Sequence, residues 1–287
     1  MQDVLIIGKG SYIGESLKKW LEDYSEGYHV ETVSSMGGAW KEADFRKFDT
    51  VIDFAGIAHI NNIKEEMKAE FYSVNRDLSI EIAAWAKQHD VSYFIFFSSM
   101  NVYGDYCDNI MDRSKTAPTS FYGDSKLQGD LGIQKLADDK FKVAILRPPF
   151  VYGKGCTGNY NRVSRIAKKT PIFPNYKNRK SMIYISNLCE FIRLIIEDRS
   201  DGIFTPQNKE LVSTADLVRE IGKCNGKQIW FLNTFNWIIK PAVKMTRTFR
   251  RAFADDCYDL SLSDYYGFKY CVVDFAESIR RTETDDK

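Results

Sequence analysis

The chain has 287 residues, 44% of them apolar, and its 40 Lys and Arg against 39 Asp and Glu leave a net charge of +1. That length suits one or two domains with a real core, and the composition excludes collagen-like, disulfide-dense and disordered chains. A charge this balanced supplies no field to gather nucleic acid, so an anionic ligand must be held by a local site.

In chain order, short apolar runs alternate with helical patterns. Strands are predicted at 4–7, 28–33, 50–54, 93–97 and 141–146, with helices from about residue 13, around 69–88 and around 122–136. Short β-rich runs separated by helices argue for βαβ crossovers and a parallel sheet with helices on both faces. From about residue 151 the pattern turns to mixed helices and isolated strands, with turn signals such as Lys154-Gly155 and Thr205-Pro206. The expected division is a dinucleotide-binding domain over 1–155 and mainly a substrate lobe over 156–287, with strands able to cross back. The charged end, 280–287, is expected to fray.

An acid stands near the start of the chain where a secretory leader carries bases, and only four apolar residues precede Gly8. A leader needs at least about 7. Cysteines 107, 156, 189, 224, 257 and 271 form no CxxC and no zinc spacing. They read as thiols of a reducing, cytoplasmic compartment, and no metal is expected. No run reaches the roughly 18 apolar residues of a membrane span. Asn233, Asn236, Lys240 and Pro241 interrupt the nearest candidate, 230–243.

Gly8-Lys9-Gly10-Ser11-Tyr12-Ile13-Gly14 follows the first strand and opens the first helix. There, backbone N–H groups and the positive end of the helix dipole converge where a diphosphate can bind. NAD-preferring folds place an acid at the end of the second strand. Here that strand ends in Val33-Ser34-Ser35 with Glu31 further back, so NADP is open beside NAD, with Lys41 or Arg46 as 2′-phosphate partners.

Tyr122-Gly123-Asp124-Ser125-Lys126 sets a phenol and an ammonium four residues apart, on one face of a helix. A cation close to a phenol lowers its pKa from about 10 towards the range useful for proton exchange. Ser98 and Ser99 follow the strand at 93–97, at the carboxyl end where open α/β sheets bind ligands.

These motifs, with Asp44-Phe45, Phe54-Ala55-Gly56, Asn75, Val102-Tyr103-Gly104, the stretch Arg147 to Gly153 and the stretch Ser181 to Leu188, come in the order found in extended short-chain dehydrogenase/reductases. The chain resembles their NAD-dependent epimerase/dehydratase branch acting on nucleotide sugars, from residue 4 to about 210. The resemblance implies a Rossmann-type doubly wound α/β fold with a smaller mixed α/β lobe. It implies that Gly8, Gly10, Ser11, Tyr12, Ile13 and Gly14 cradle the pyrophosphate. Asp44 and Phe45 would meet the adenine, and Phe54, Ala55 and Gly56 would line the ribose side. Ser98, Asn75, Pro148 and Val151 complete the cofactor set, and Lys126 holds the nicotinamide ribose. Ser99, Tyr122 and Lys126 would be catalytic. His59, Ser99, Asn101, Asn159, Tyr160, Arg179 and Lys180 would bind substrate, with Arg179 clamping the diphosphate bidentately, and Tyr258 could reach the sugar.

Departures narrow the reaction. Family dehydratases carry an Asp-Glu pair where this chain has Met100 and Asn101, so a dehydratase is not expected. The expected activity is an NAD(P)-dependent 4-epimerase of a UDP-hexose or UDP-N-acetylhexosamine working through a 4-keto intermediate. The alternative is a 4-keto-sugar reductase of a surface-polysaccharide pathway, and a binding module without catalysis would be expected to lack Tyr122 or Lys126. Expected partners are a nucleotide-diphosphate sugar and a second copy of the chain as a homodimer, without nucleic acid or integral membrane association. Lys240, Lys244, Arg247, Arg250 and Arg251 recur beside Trp237, Ile238, Ile239 and Phe249. Such a stretch can lie on an anionic membrane; a solvated face packing on the lobe or a second subunit is the plainer reading, because Pro241 is expected to break the helix.

Overall fold

The structure is a computed structural model that describes residues 1–57 and 65–284. Six parallel strands form the main sheet: β1 (Gln2–Ile7), β2 (Tyr28–Val33), β3 (Thr50–Asp53), β4 (Tyr93–Phe97), β5 (Lys142–Leu146) and β6 (Gly202–Phe204), in the spatial order β6-β5-β4-β3-β1-β2. The chain winds outward from β1 to β2, then returns to the other side of β1 at β3. That reversal opens a crevice beyond the carboxyl ends of β1 and β3, the position where doubly wound sheets bind their ligands.

The strands read as near-continuous apolar runs because both faces are covered. Side chains alternate across the pleat. Leu5, Ile7, Val51, Phe94, Phe96, Val143 and Ile145 join one buried cluster with Trp40, Phe45, Ile82 and Ile133. Helices α2 (Ser79–Gln88) and α3 (Phe121–Gln134) supply Ile82 and Ile133 to it. Helix α1 (Tyr12–Glu22) buries Leu17 and Leu21, and Trp20 donates to Glu190 of the helix Ile185–Asp198.

The chain divides into two compact units that exchange segments: residues 1–104, 115–148 and 188–206 form the sheet unit, and 105–114, 149–187 and 207–287 form the second. The second unit holds three short parallel pairs, Asp108–Ile110 with Asp256–Tyr258, Phe150–Tyr152 with Met182–Tyr184, and Ile172–Pro174 with Trp230–Leu232. Its core is rich in tyrosine: Tyr152 and Tyr160 stack with centroids 5.6 Å apart, and Tyr258 and Tyr270 are wholly buried.

Two sequence expectations fail here. The end of the chain is helical through residue 283 rather than irregular from residue 280, and residues 285–287 of that expectation lie outside the described residues. The helix Phe275–Glu283 is capped by Asp274 and held by ion pairs from Glu277 to Arg280 and Arg281, and Lys168 pairs with Glu283 at 2.8 Å. Nor does Pro241 break its segment, which is helical over Asn236–Met245. Proline there removes the hydrogen bond to the carbonyl of Trp237; Trp237 lies on the exposed side, where water can take the acceptor. Among the described residues no helix is long and apolar enough to cross a membrane, and no Cys is bonded to another.

Candidate active site

The glycine turn is built for close approach. Gly8 and Gly10 adopt φ of +119° and +82°, a region that side chains disfavour. The Gly8 and Lys9 N–H groups both donate to the Val33 carbonyl at 2.9 and 3.0 Å, which ties the turn to the end of β2. Ser11 then caps α1, accepting from the Gly14 N–H at 3.2 Å, and Tyr12 and Ile13 begin the helix. The Gly10 N–H, outside the helix, donates to Glu15 Oε1 at 2.8 Å. This turn therefore already takes an anionic oxygen, as a dinucleotide pyrophosphate requires. The residues fit that group.

Beyond β3, the apolar run ends in Asp53, which is fully buried and accepts from the Ala55 N–H at 2.8 Å. Phe54 packs on Phe97 with centroids 5.0 Å apart. A Cβ on Gly56 would come within 2.9 Å of Lys126 Nζ, so only glycine leaves the ammonium its place. Asn75, fully buried, ties this loop to α3: its Oδ1 accepts from the Ile57 N–H at 2.8 Å, and its Nδ2 donates to the Ile57 carbonyl and to Ser125 Oγ.

At the end of β4, Ser98 and Ser99 are buried. Ser99 caps the short turn Met100–Tyr103, accepting from the Asn101 N–H at 3.2 Å, and its hydroxyl lies near the phenol of Tyr122. Ser120 caps α3 and sets Tyr122 in its first turn. Lys126 follows one turn later, with Nζ donating to the Phe97 and Ala55 carbonyls at 2.9 and 3.2 Å, at the ends of β4 and β3, and lying 4.8 Å from the Phe96 ring centre. Asp130, on the same helix face, pairs with Arg147 at 2.8 Å; Arg147 also donates to the Tyr103 hydroxyl at 2.9 Å.

Asp53, Lys126, Asp130 and Arg147 are thus all buried, Asp130 and Arg147 as an ion pair; burial raises Asp53, opposed by the charge of Lys126. Burial lowers Lys126 to about 8, and Asp53 and Asp130 oppose that shift. Burial also raises Asp130, opposed by Arg147 and the Ser98 hydroxyl. Tyr122 is raised by burial, with the nearby Ser99 hydroxyl opposing and Asp130 adding. Tyr122 is thus shifted up by burial rather than down as expected from Lys126, whose ammonium donates to the two strand-end carbonyls.

Other expected residues fall elsewhere. Phe45 is wholly buried against Trp40, so its side chain cannot meet an adenine. Asp44 is paired with Arg46 at 2.9 Å, and Lys41 with Glu81 at 2.6 Å. Pro148 is buried and accepts from the Met100 N–H at 3.0 Å; Val151 pairs with Ile183 in the second unit. His59 lies outside the described residues. In the second unit, Tyr160 at 2% exposure and Tyr258 at 0% are core side chains, closed to a nucleotide. Asn159 accepts from Arg251, Arg179 pairs with Asp255 at 3.0 Å while half exposed, and Lys180 lies 5.8 Å from the Tyr106 ring centre.

Sequence reasoning missed Asp53 and Asp130. Each left a signal: Asp53 is an acid at the end of an otherwise apolar strand, and Asp130 continues the Tyr122, Lys126 spacing by one more turn.

The model of the NAD dependent epimerase/dehydratase family matches residues 4–205. A UDP-glucose 4-epimerase of Vibrio cholerae is 28% identical over 243 residues, covering 81% of this chain and 74% of that protein. An N-acetyl-alpha-D-glucosaminyl-diphospho-ditrans,octacis-undecaprenol 4-epimerase of Escherichia coli O157:H7 is 25% identical over 246 residues, covering 79% and 73%. Among solved structures, the UDP-glucuronic acid 4-epimerase of Bacillus cereus in complex with NAD superposes with a TM-score of 0.74 at 17% identity, over 98% of this chain and 95% of that one. At that identity the likeness is one of fold. The family match spans the sheet, the glycine turn and the Ser99, Tyr122 and Lys126 positions alike, and the chain belongs to the NAD dependent epimerase/dehydratase family.

Proposed function

We propose that the chain is a nucleotide-sugar 4-epimerase acting on a UDP-hexose or UDP-N-acetylhexosamine through a transient 4-keto sugar. The observation that carries this reading is the placing of the Ser99 hydroxyl and the Tyr122 phenol together at the sheet's carboxyl edge, one helical turn before buried Lys126. The two relatives named as 4-epimerases support it.

In this reading Ser99 Oγ holds the C4 oxygen and Tyr122 Oη takes the C4 hydroxyl proton while hydride leaves C4. When bound, the nicotinamide supplies the acceptor and later donor of that hydride, and its oxidised form brings a positive charge. Tyr122 returns its proton to the C4 oxygen once the 4-keto sugar has presented its other face. Lys126 would turn part of its hydrogen bonding to the nicotinamide ribose, Ser98 and Pro148 would line the nicotinamide side of the sheet unit, and Asn75 would position the loop at Gly56. Arg179 and Lys180 would take the nucleotide diphosphate, with Arg179 exchanging Asp255 for phosphate oxygens.

A specific observation favours a second reading, a 4-keto reductase in which Tyr122 donates the proton and reduced cofactor is consumed. At the end of β2, Val33 is followed by Ser34 and Ser35, while Glu31 sits in mid-strand opposite Leu5. An adenosine ribose would find no carboxylate at that strand end, which suits NADPH. Incubation with UDP-glucose, UDP-galactose and their N-acetyl forms separates the readings. Interconversion without net change in reduced-cofactor absorbance supports the epimerase; stoichiometric consumption of NAD(P)H with a 4-keto sugar replaces it with the reductase.

A further inference from the structure

We propose that the helix pair Asn236–Met245 and Arg247–Phe253 is a docking surface for an anionic lipid bilayer. The first helix is apolar on two sides. Ile239, 2% exposed, packs inward, yet Trp237 is 75% exposed, Met245 81% and Ile238 44%. Trp237, Pro241 and Met245 lie at i, i+4 and i+8, so with Ile238 they form one continuous outward arc, where a helix of a soluble surface carries polar residues.

Charge identifies what covers this arc. Lys240 and Lys244 flank it one step round the helix, and Arg250 and Arg251 follow on the second helix. No Asp or Glu occurs between Glu220 and Asp255. Among the described residues, no carboxylate forms an ion pair with Lys240, Lys244 or Arg250. A symmetric contact with a second copy would set this unneutralised basic surface against itself. Anionic headgroups neutralise it, while an exposed indole and thioether enter the boundary between headgroups and acyl chains, where tryptophan is favoured.

The test is co-sedimentation of the full chain with vesicles of phosphatidylcholine alone and of phosphatidylcholine with one quarter phosphatidylglycerol. The anionic vesicles are expected to bind at least about tenfold more protein at low salt, with the difference collapsing by about 0.5 M NaCl. W237S/M245S is expected to lower binding about tenfold and K240E/K244E to remove the preference for phosphatidylglycerol, both with unchanged thermal unfolding. Failure of the wild type to bind anionic vesicles at low salt overturns the proposal, as does equal binding by wild type and variants. A wild-type dimer that W237S/M245S converts to monomer, without vesicle binding, assigns the face to a second copy and overturns it too.

Discussion

Gly123 lies so close to the turn after β4 that a Cβ at this position would come within 2.4 Å of the Asn101 carbonyl oxygen. The first turn of α3 and the strand-end turn are therefore in backbone contact, and that contact sets the phenol of Tyr122 against the hydroxyl of Ser99.

Gly123→Ala should force the helix start away from Asn101. Overpacking of this kind costs about 1–3 kcal/mol, and the larger loss should be in turnover, since a shift of about 1 Å at reacting groups can cost on the order of a hundredfold. Steady-state kinetics with thermal unfolding checks this; wild-type kcat would show that the contact does not position Tyr122.

Tyr122→Phe removes the group that exchanges the proton while leaving the ring. Turnover should fall by at least about a hundredfold, with dinucleotide affinity, read by quenching of tryptophan fluorescence, within about twofold of wild type. Activity close to wild type would take Tyr122 out of the mechanism.

Lys126 gives opposite signs for activity and stability. Its charged form is held up to about pH 8 in the folded chain, against a usual 10.5. Where the ammonium is needed, kcat/KM should fall as pH rises through about 8. The unfolded chain keeps this proton to higher pH, so the contribution of Lys126 to stability should rise between about 8 and 10.5, by about 3 kcal/mol in total. Asp53→Asn keeps the acceptor for the Ala55 N–H but removes a charge that holds Lys126 protonated, so the alkaline limb of kcat/KM should move below pH 8. A limb unmoved in that variant would assign it to another group.

Glu15 places a carboxylate on the Gly10 N–H where a pyrophosphate oxygen would sit. Glu15→Gln should tighten dinucleotide binding about two- to fivefold by removing the competing charge at the helix start. Weaker binding, measured by fluorescence titration, would mean that Glu15 supports the turn rather than competing with the ligand.

Much of this protein follows from sequence alone. Short continuous apolar runs between helical patterns specify the parallel sheet, because only a strand buried on both faces reads as TVID or YFIFF. The glycine turn and the Ser99, Tyr122 and Lys126 set are legible because their spacing is local: a strand end, a helix start, one helical turn. Tertiary structure alone decides what those groups face. Ala55 and Lys126 are 71 positions apart in the chain and meet only because the carboxyl ends of β3 and β4 lie against the start of α3, where the Ala55 and Phe97 carbonyls take the Lys126 ammonium. Tyr160 and Tyr258 look in sequence like ligand aromatics and are core, because burial is a property of the packed chain and not of residue type.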